Sequence, residues 1–118
     1  MTYSVRVVEV HKERHSDSHR RKLGFADFEE ARDYARRRTR DSIERLRSEG
    51  LQGNDLRAAY LDRGTYCVVE GGAEHYHSVS ELDEFFAAAA TKQQRNWAPM
   101  DSDITPRWWL NRQRRGSL

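Results

Sequence analysis

Two histidines two positions apart, His75 and His77, come nearest in this sequence to the spacing of a metal site. On an extended strand both imidazoles project to the same side, roughly 6–7 Å apart along the chain. A catalytic zinc site needs about three protein ligands and a structural site about four. Glu70 is the further candidate on the same predicted face. Metal-dependent activity at His75 and His77 is therefore our third hypothesis, behind the simpler expectation of histidines at a sheet rim that bind no metal.

The single cysteine, Cys67, is the only thiol that could act as a nucleophile. It lies beside Val68 and Val69 in a predicted strand. Without a neighbouring base or a helix N-terminus, such a thiol is expected to be buried and inert. The serines occur in no Gly-x-Ser-x-Gly turn, and the sequence contains no phosphate loop, dinucleotide fingerprint, zinc ribbon or His-Glu-x-x-His. The sequence therefore predicts no catalytic residue and no cofactor, and it favours a protein that is not an enzyme.

Charge is unevenly distributed along the 118 residues, although the net charge is only +2. Residues 1–25 carry six Lys/Arg and three Asp/Glu, residues 51–91 carry two and seven, and residues 92–118 carry six and two. Basic ends around an acidic middle permit contact with nucleic acid, and they equally permit pairing within the chain or between subunits.

The compartment is indicated by what the sequence lacks. A single cysteine excludes an internal disulfide bond. The N-terminal residues do not have the pattern of a signal peptide, and no apolar run approaches the ~20 residues of a membrane span. We therefore expect a cytoplasmic protein that does not associate with membranes.

The first half of the chain predicts a strand or hairpin followed by a long helix. Residues 3–10 are rich in β-branched residues, and residues 22–25 are a candidate return strand. Asp27, with Glu30 three positions later, is typical of a helix start, and an apolar stripe at three- and four-residue steps follows. Gly50 predicts the end of this helix, because glycine readily adopts the left-handed conformation.

The second half predicts a sheet, a helix and a tail. Residues 56–78 favour a three-stranded meander with turns at Arg63-Gly64 and Gly71-Gly72, and Ser78 with Glu81 predicts the capped start of a second helix. We therefore expect an α+β fold in which an antiparallel sheet carries two helices on one face. The predicted domain spans residues 1–91, and residues 92–118 form an irregular basic tail packed on the domain or on a partner.

The meander places Leu61, Tyr66 and Val68 on one face of the sheet, which is too apolar to be left in solvent. The tail carries Trp108 and Trp109, whose large apolar area could cover that face within the chain, in a second copy or on a partner. Our leading hypothesis is thus a small non-enzymatic protein-binding module, with a homodimer as one form of it.

Nucleic-acid binding is the alternative hypothesis. The candidate phosphate contacts are Arg36, Arg37 and Arg40 on the long helix and Arg112, Arg114 and Arg115 in the tail. The tail tryptophans could stack on bases. Against this hypothesis, acidic residues alternate with the arginines of the helix, which is typical of a solvated helix face.

Overall fold

The computed structural model describes residues 2–12 and 20–104, so Trp108, Trp109, Arg112, Arg114 and Arg115 lie outside the described residues. The described part of the chain forms an α+β fold with an antiparallel sheet, which confirms the predicted fold class. Its elements, in order, are β1 (Tyr3–Glu9), β2 (Arg20–Phe25), α1 (Phe28–Arg47), α2 (Gly53–Arg63), β3 (Thr65–Glu70), β4 (Tyr76–His77) and α3 (Leu82–Ala87). Short 3-10 helices occupy Val10–Lys12, Ser78–Glu81 and Ala98–Ile104.

The sheet has the strand order β2-β1-β3-β4, and the three pairings are antiparallel. The return strand expected from residues 22–25 exists as β2, which pairs with β1 as a hairpin. On the central pair, Val5 lies opposite Val69 and Val7 opposite Cys67. These four side chains point to the same side of the sheet and are almost completely buried. That side carries the main core.

Helix α1 covers this side, and its predicted start, apolar stripe and end are confirmed, although Glu30 does not bond back to Asp27 as a capping box requires. The carboxylate of Asp27 accepts a hydrogen bond from the backbone N–H of Glu29 at 2.9 Å, which caps the helix start. The buried stripe comprises Ala31, Tyr34, Ala35, Thr39, Ile43 and Leu46. Gly50 has φ of 91°, as expected for a glycine that ends a helix.

Helix α1 contributes buried side chains to two apolar clusters. Its N-terminal half packs with Phe25 and the sheet residues Val5, Val7, Cys67 and Val69. Its C-terminal half provides Ile43 and Leu46, which pack with Leu56 and Tyr60 from α2 and Phe85 from α3. The long helix therefore joins the sheet to the two shorter helices.

The predicted three-stranded meander is wrong in its first strand, because residues 53–63 form helix α2. Leu56 and Tyr60 are buried, at the four-residue spacing of a helix face, and they pack on Ile43 and Leu46. Ala and Leu are strong helix formers, and α1 offers an apolar surface on which Leu56 and Tyr60 pack. Gly64 then links α2 to β3 instead of forming a hairpin turn.

The hairpin of β3 and β4 is confirmed, but its register and its turn differ from the prediction. Val68 lies opposite His77 and Val69 opposite Tyr76, which leaves a loop of residues 71–75 in place of a two-residue turn. The second helix also begins later than predicted, since residues 78–81 form a 3-10 helix before α3. Ser78 and Glu81 make no capping box, because both side chains bond to other parts of the fold.

Serine hydroxyls satisfy backbone groups of β3 where β4 does not reach. Ser42 of α1 accepts from the N–H of Thr65 at 2.9 Å, and Ser78 accepts from the N–H of Cys67 at 2.9 Å. Unpaired strand N–H groups would otherwise be costly in a buried setting. Within residues 2–12 and 20–104, no helix is long and apolar enough to cross a membrane.

Candidate functional site

The residues predicted to form a partner-binding face do not share one face of the sheet. Leu61 lies on α2 and is 63% exposed, whereas Tyr66 and Val68 lie on β3. Val68 is only 5% exposed, and Val8, opposite Tyr66 on the same face, is only 1% exposed. The structure therefore corrects the predicted surface, and any partner contact made by Leu61 or Tyr66 stays a prediction.

The α1 arginines of the nucleic-acid hypothesis are engaged within the chain. Arg36 binds Glu81 through two hydrogen bonds of 2.7 and 2.9 Å. Arg37 donates to the carbonyl oxygen of Asn96 at 2.9 Å, and Arg40 lies over the Phe85 ring at 4.8 Å. These three side chains connect α1 to Glu81, Asn96 and Phe85, so they do not form a free basic face.

The histidines of the candidate metal site are exposed, and the candidate thiol is buried. His75 and His77 are exposed, and the described residues contain no group of three His, Cys, Asp or Glu side chains that could hold a metal ion. Cys67 is fully buried, and burial raises the pKa of its thiol to about 12. A thiol with such a pKa is almost entirely protonated at neutral pH and is a poor nucleophile.

A site that the sequence prediction missed surrounds Trp97, and it is built on the carboxylate of Asp41. Asp41 is only 8% exposed. It accepts from the indole Nε1–H of Trp97 at 3.0 Å and from Nε of Arg95 at 2.8 Å, and it pairs with Arg45 at 3.1 Å along the helix. The buried carboxylate of Asp41 therefore binds Arg45 from its own helix and both Arg95 and Trp97 from a segment more than 50 residues later.

Arg38 fixes the indole from another direction. Its guanidinium carbon lies 3.8 Å from the centre of a Trp97 ring, and a terminal nitrogen lies 3.5 Å from Asp101. The Tyr34 hydroxyl donates to Asp101, and its ring meets Trp97 edge-on at 6.4 Å. Burial, followed by the hydrogen bond to Asp101, raises the pKa of Tyr34, so its hydroxyl stays a proton donor. Trp97 is therefore half-buried in a defined orientation.

Two connected depressions border this indole, and we call them together the Trp97 cleft. The inner depression has a volume of about 160 Å³ and is lined by Arg38, Asp41, Ser42, Arg45, Leu46, Arg63, Thr65 and Trp97. The outer depression has a volume of about 410 Å³, is more open, and is lined by Asp41, Arg45, Lys92, Arg95, Asn96, Trp97 and Ala98. They meet at Asp41, Arg45 and Trp97.

Positive charge exceeds negative charge in the Trp97 cleft. The five cationic side chains in its walls are Arg38, Arg45, Arg63, Lys92 and Arg95. The carboxylates that pair with them are Asp41, Glu49 and Asp101, which leaves an excess of two positive charges. Lys92 makes no ion pair within the described part of the chain. The arrangement is suited to attract an anion.

Sequence reasoning missed the cleft because Arg95 and Trp97 lie in a stretch without periodicity, which was assigned to the tail. One contact of the cleft does follow from local spacing, because Asp41 and Arg45 are four residues apart on a helix and form an ion pair of 3.1 Å. The contact between Trp97 and Asp41 joins residues 56 positions apart, so no local spacing could predict it.

Comparison with known proteins gives no guide to the function of this cleft. No protein-family model matches the chain, and neither a curated protein nor a solved structure shows significant similarity to it. The function has to be inferred from the chemistry of the site.

Proposed function

We propose that this protein is a non-enzymatic nucleic-acid-binding protein and that the Trp97 cleft is its binding site. The observation that supports the proposal is the excess of two positive charges around a half-buried indole. Arginine and lysine side chains attract the phosphate backbone and release its counterions, which is the main source of affinity in such complexes. The planar guanidinium fork also fits phosphate oxygens well.

The arginine positions in this proposal differ from those expected from the sequence. Arg45 and Arg63 keep 69% and 43% of their side-chain surface exposed, and each pairs with one carboxylate. Arg36 and Arg63 each make two hydrogen bonds to one carboxylate, but the Glu81 side chain that binds Arg36 is only 20% exposed, whereas the Glu49 side chain that binds Arg63 is 51% exposed. A cation that a ligand can reach without first breaking a buried contact contributes more to phosphate binding. Arg112, Arg114 and Arg115, which lie outside the described residues, stay candidates for additional contacts.

The protein-binding hypothesis has less support from the described residues. A large contiguous apolar patch on the surface is a mark of a protein-interaction site. Within the described residues, 2–12 and 20–104, the large apolar side chains that are exposed are Leu61, with 63% of its surface exposed, and Val79, with 44%. A partner or a second copy that binds through Leu61, Tyr66 or the Trp108–Trp109 segment remains a separate prediction. The cytoplasmic location expected from the sequence also stays a prediction.

The proposal is tested by fluorescence anisotropy with a labelled single-stranded oligonucleotide, measured over a series of salt concentrations. The Arg45→Gln/Arg63→Gln variant removes two cations from the Trp97 cleft. We expect it to bind more weakly and to lower the slope of log K against log salt by about 1.4, since each phosphate contact contributes about 0.7 for single strands.

The matched control is Arg20→Gln/Arg57→Gln, which removes the same charge elsewhere. Arg20 and Arg57 are 68% and 46% exposed, and each also pairs with one carboxylate. This control should keep most of the wild-type affinity. No binding at low salt, or an equal loss in the two double variants, would overturn the assignment of the Trp97 cleft.

A further inference from the structure

We infer that the ligand of the Trp97 cleft is a single strand, with one unpaired base stacked on the accessible part of the Trp97 indole. This inference rests on the proposed function and adds the class of nucleic acid to it. Cations in the walls would hold the phosphates on both sides of that base, with Lys92 and Arg95 in the outer depression and Arg63 in the inner one.

The first argument is that the indole is oriented before any ligand arrives. Asp41 fixes its N–H, Arg38 lies at 3.8 Å from a ring centre, and Tyr34 contacts it edge-on. A ring held in this way loses little conformational entropy when a base stacks on it. Base–aromatic stacking accepts any base, because each base has a π-face.

The second argument is the position of the indole between the two depressions. Trp97 lines both of them, whereas Arg38 lines only the inner one. The outer depression therefore offers indole surface that Arg38 does not line, and Lys92, Arg95 and Arg45 surround it. A planar group enclosed by cations is the arrangement that single-strand-binding proteins use, with bases on aromatic rings and phosphates on basic side chains.

The third argument concerns what a duplex could use here. In a duplex the bases are stacked on one another, so their π-faces are not available to a protein ring unless a base is flipped out. A concave site also has no projecting helix or strand with which to enter a groove. A duplex could contact only the cations at the rim, where Arg45 is 69% exposed, and would not reach the recessed Arg38, which is 14% exposed.

The experiment uses the full chain with Trp108→Phe and Trp109→Phe, so that Trp97 is the remaining fluorophore among the three tryptophans. A single strand, a duplex of the same length, inorganic polyphosphate and poly-glutamate are titrated at equal concentration of anionic groups. We expect the single strand to quench Trp97 strongly and to bind about tenfold more tightly than the duplex. Polyphosphate should bind, in a salt-dependent manner, with little quenching.

Substitution of Trp97 separates stacking from charge. Trp97→Leu should weaken single-strand binding by about tenfold, the loss expected for one base–aromatic stack, and leave duplex binding and the salt slope unchanged. Trp97→Phe keeps an aromatic ring and should recover most of the affinity. Circular dichroism and thermal unfolding verify the folding of both variants. If Trp97→Leu does not fold, the quenching of Trp97 in the Trp108→Phe/Trp109→Phe parent still tests the stack, because the single strand should quench it and the duplex and polyphosphate should not.

The outcomes distinguish the two proposals. Equal affinity for single strand and duplex, without a change in Trp97 emission, would overturn the stacking inference and leave nucleic-acid binding in place. Tight binding of poly-glutamate in preference to either nucleic acid would assign the cleft to an acidic protein and overturn both. Absence of binding to all of these probes at low salt would also overturn both.

Discussion

The indole Nε1–H of Trp97 donates a 3.0 Å hydrogen bond to Oδ2 of Asp41, which lies 56 positions earlier in the chain. This bond, with the hydrogen bond from Nε of Arg95 to Oδ1 and the accompanying ion-pair contact, ties the segment after α3 to α1. Asp41 therefore has two effects on the Trp97 cleft. It fixes the positions of Trp97 and Arg95, and its negative charge lowers the net positive charge of the cleft.

Replacing Asp41 should destabilise the fold and release Trp97. We expect Asp41→Ala to lower the free energy of unfolding by about 2–4 kcal/mol, because two arginines and an indole N–H lose a buried partner. Urea denaturation measures the loss, and a red shift of Trp97 emission in the Trp108→Phe/Trp109→Phe background reports the release.

The control for this prediction is Asp33→Ala on the same helix. Asp33 is 49% exposed and pairs with Arg37 at four residues' spacing. A surface pair of this kind contributes at most about 1 kcal/mol. Equal destabilisation by the two substitutions would contradict the central role of Asp41.

Glu81 should make stability depend on pH in the acidic range. Burial opposes its ionisation, but the hydrogen bonds from Arg36 and Tyr76 outweigh burial and hold the pKa of Glu81 below its ordinary value of 4.5. The unfolded chain therefore binds a proton more readily than the folded one. The contribution of Glu81 is fully present above the unfolded pKa and is lost as the pH falls through the folded pKa.

The measurement is urea denaturation of the wild type and of Glu81→Gln at several pH values from about 7 to about 3. The difference in free energy of unfolding between them should be largest near neutral pH and shrink below about pH 4.5. A difference that does not vary with pH would show that the Arg36–Glu81–Tyr76 contacts do not depend on the charge of Glu81.

Ser78 should be more important than its size suggests. Its side chain is fully buried, accepts from the N–H of Cys67 at 2.9 Å, and lies 2.7 Å from the hydroxyl of Thr39. Ser78→Ala leaves a buried backbone N–H without a partner, which should lower the free energy of unfolding by about 1–3 kcal/mol. Ser80→Ala is the matched control, because Ser80 is exposed and should change stability by at most about 0.5 kcal/mol. If Ser80→Ala costs as much, the explanation from burial is wrong.

Cys67 should resist thiol reagents while the protein is folded. Its side chain is fully buried, and burial raises the pKa of the thiol to about 12. At about pH 8, we expect labelling to occur at the rate of unfolding in the native protein and rapidly in concentrated urea. A Cys67→Ala/Ser80→Cys variant, which moves the thiol to an exposed position, should react at once. Fast labelling of the native wild type would mean that the core opens far more readily than the packing indicates.

Much of the fold could be predicted because its signals are local. Asp27 at the start of α1, its apolar stripe and Gly50 beyond its end specify the helix from neighbouring residues alone. The β-branched run of β1 specifies a strand in the same way. The burial of Cys67 was also predicted, because it lies beside Val68 and Val69 in an apolar strand.

Other elements were decided by tertiary packing. Residues 56–60 are compatible with a strand by alternation and with a helix by four-residue spacing. The contact of Leu56 and Tyr60 with Ile43 and Leu46 selects the helix. Ser78 and Glu81 have the spacing of a capping box, but Cys67 and Arg36 bind them instead, since those partners become available only in the folded chain.

Apart from the Asp41–Arg45 pair within α1, the Trp97 cleft was also decided by tertiary packing. The sequence by itself determined an α+β domain, a long capped helix and an uneven distribution of charge. The tertiary structure alone decided which of many arginines remain accessible and which are bound internally, because that depends on where Asp41, Glu81 and Asp101 lie after folding. Ionic partners far apart in sequence leave no periodic pattern, whereas helix caps and apolar stripes do.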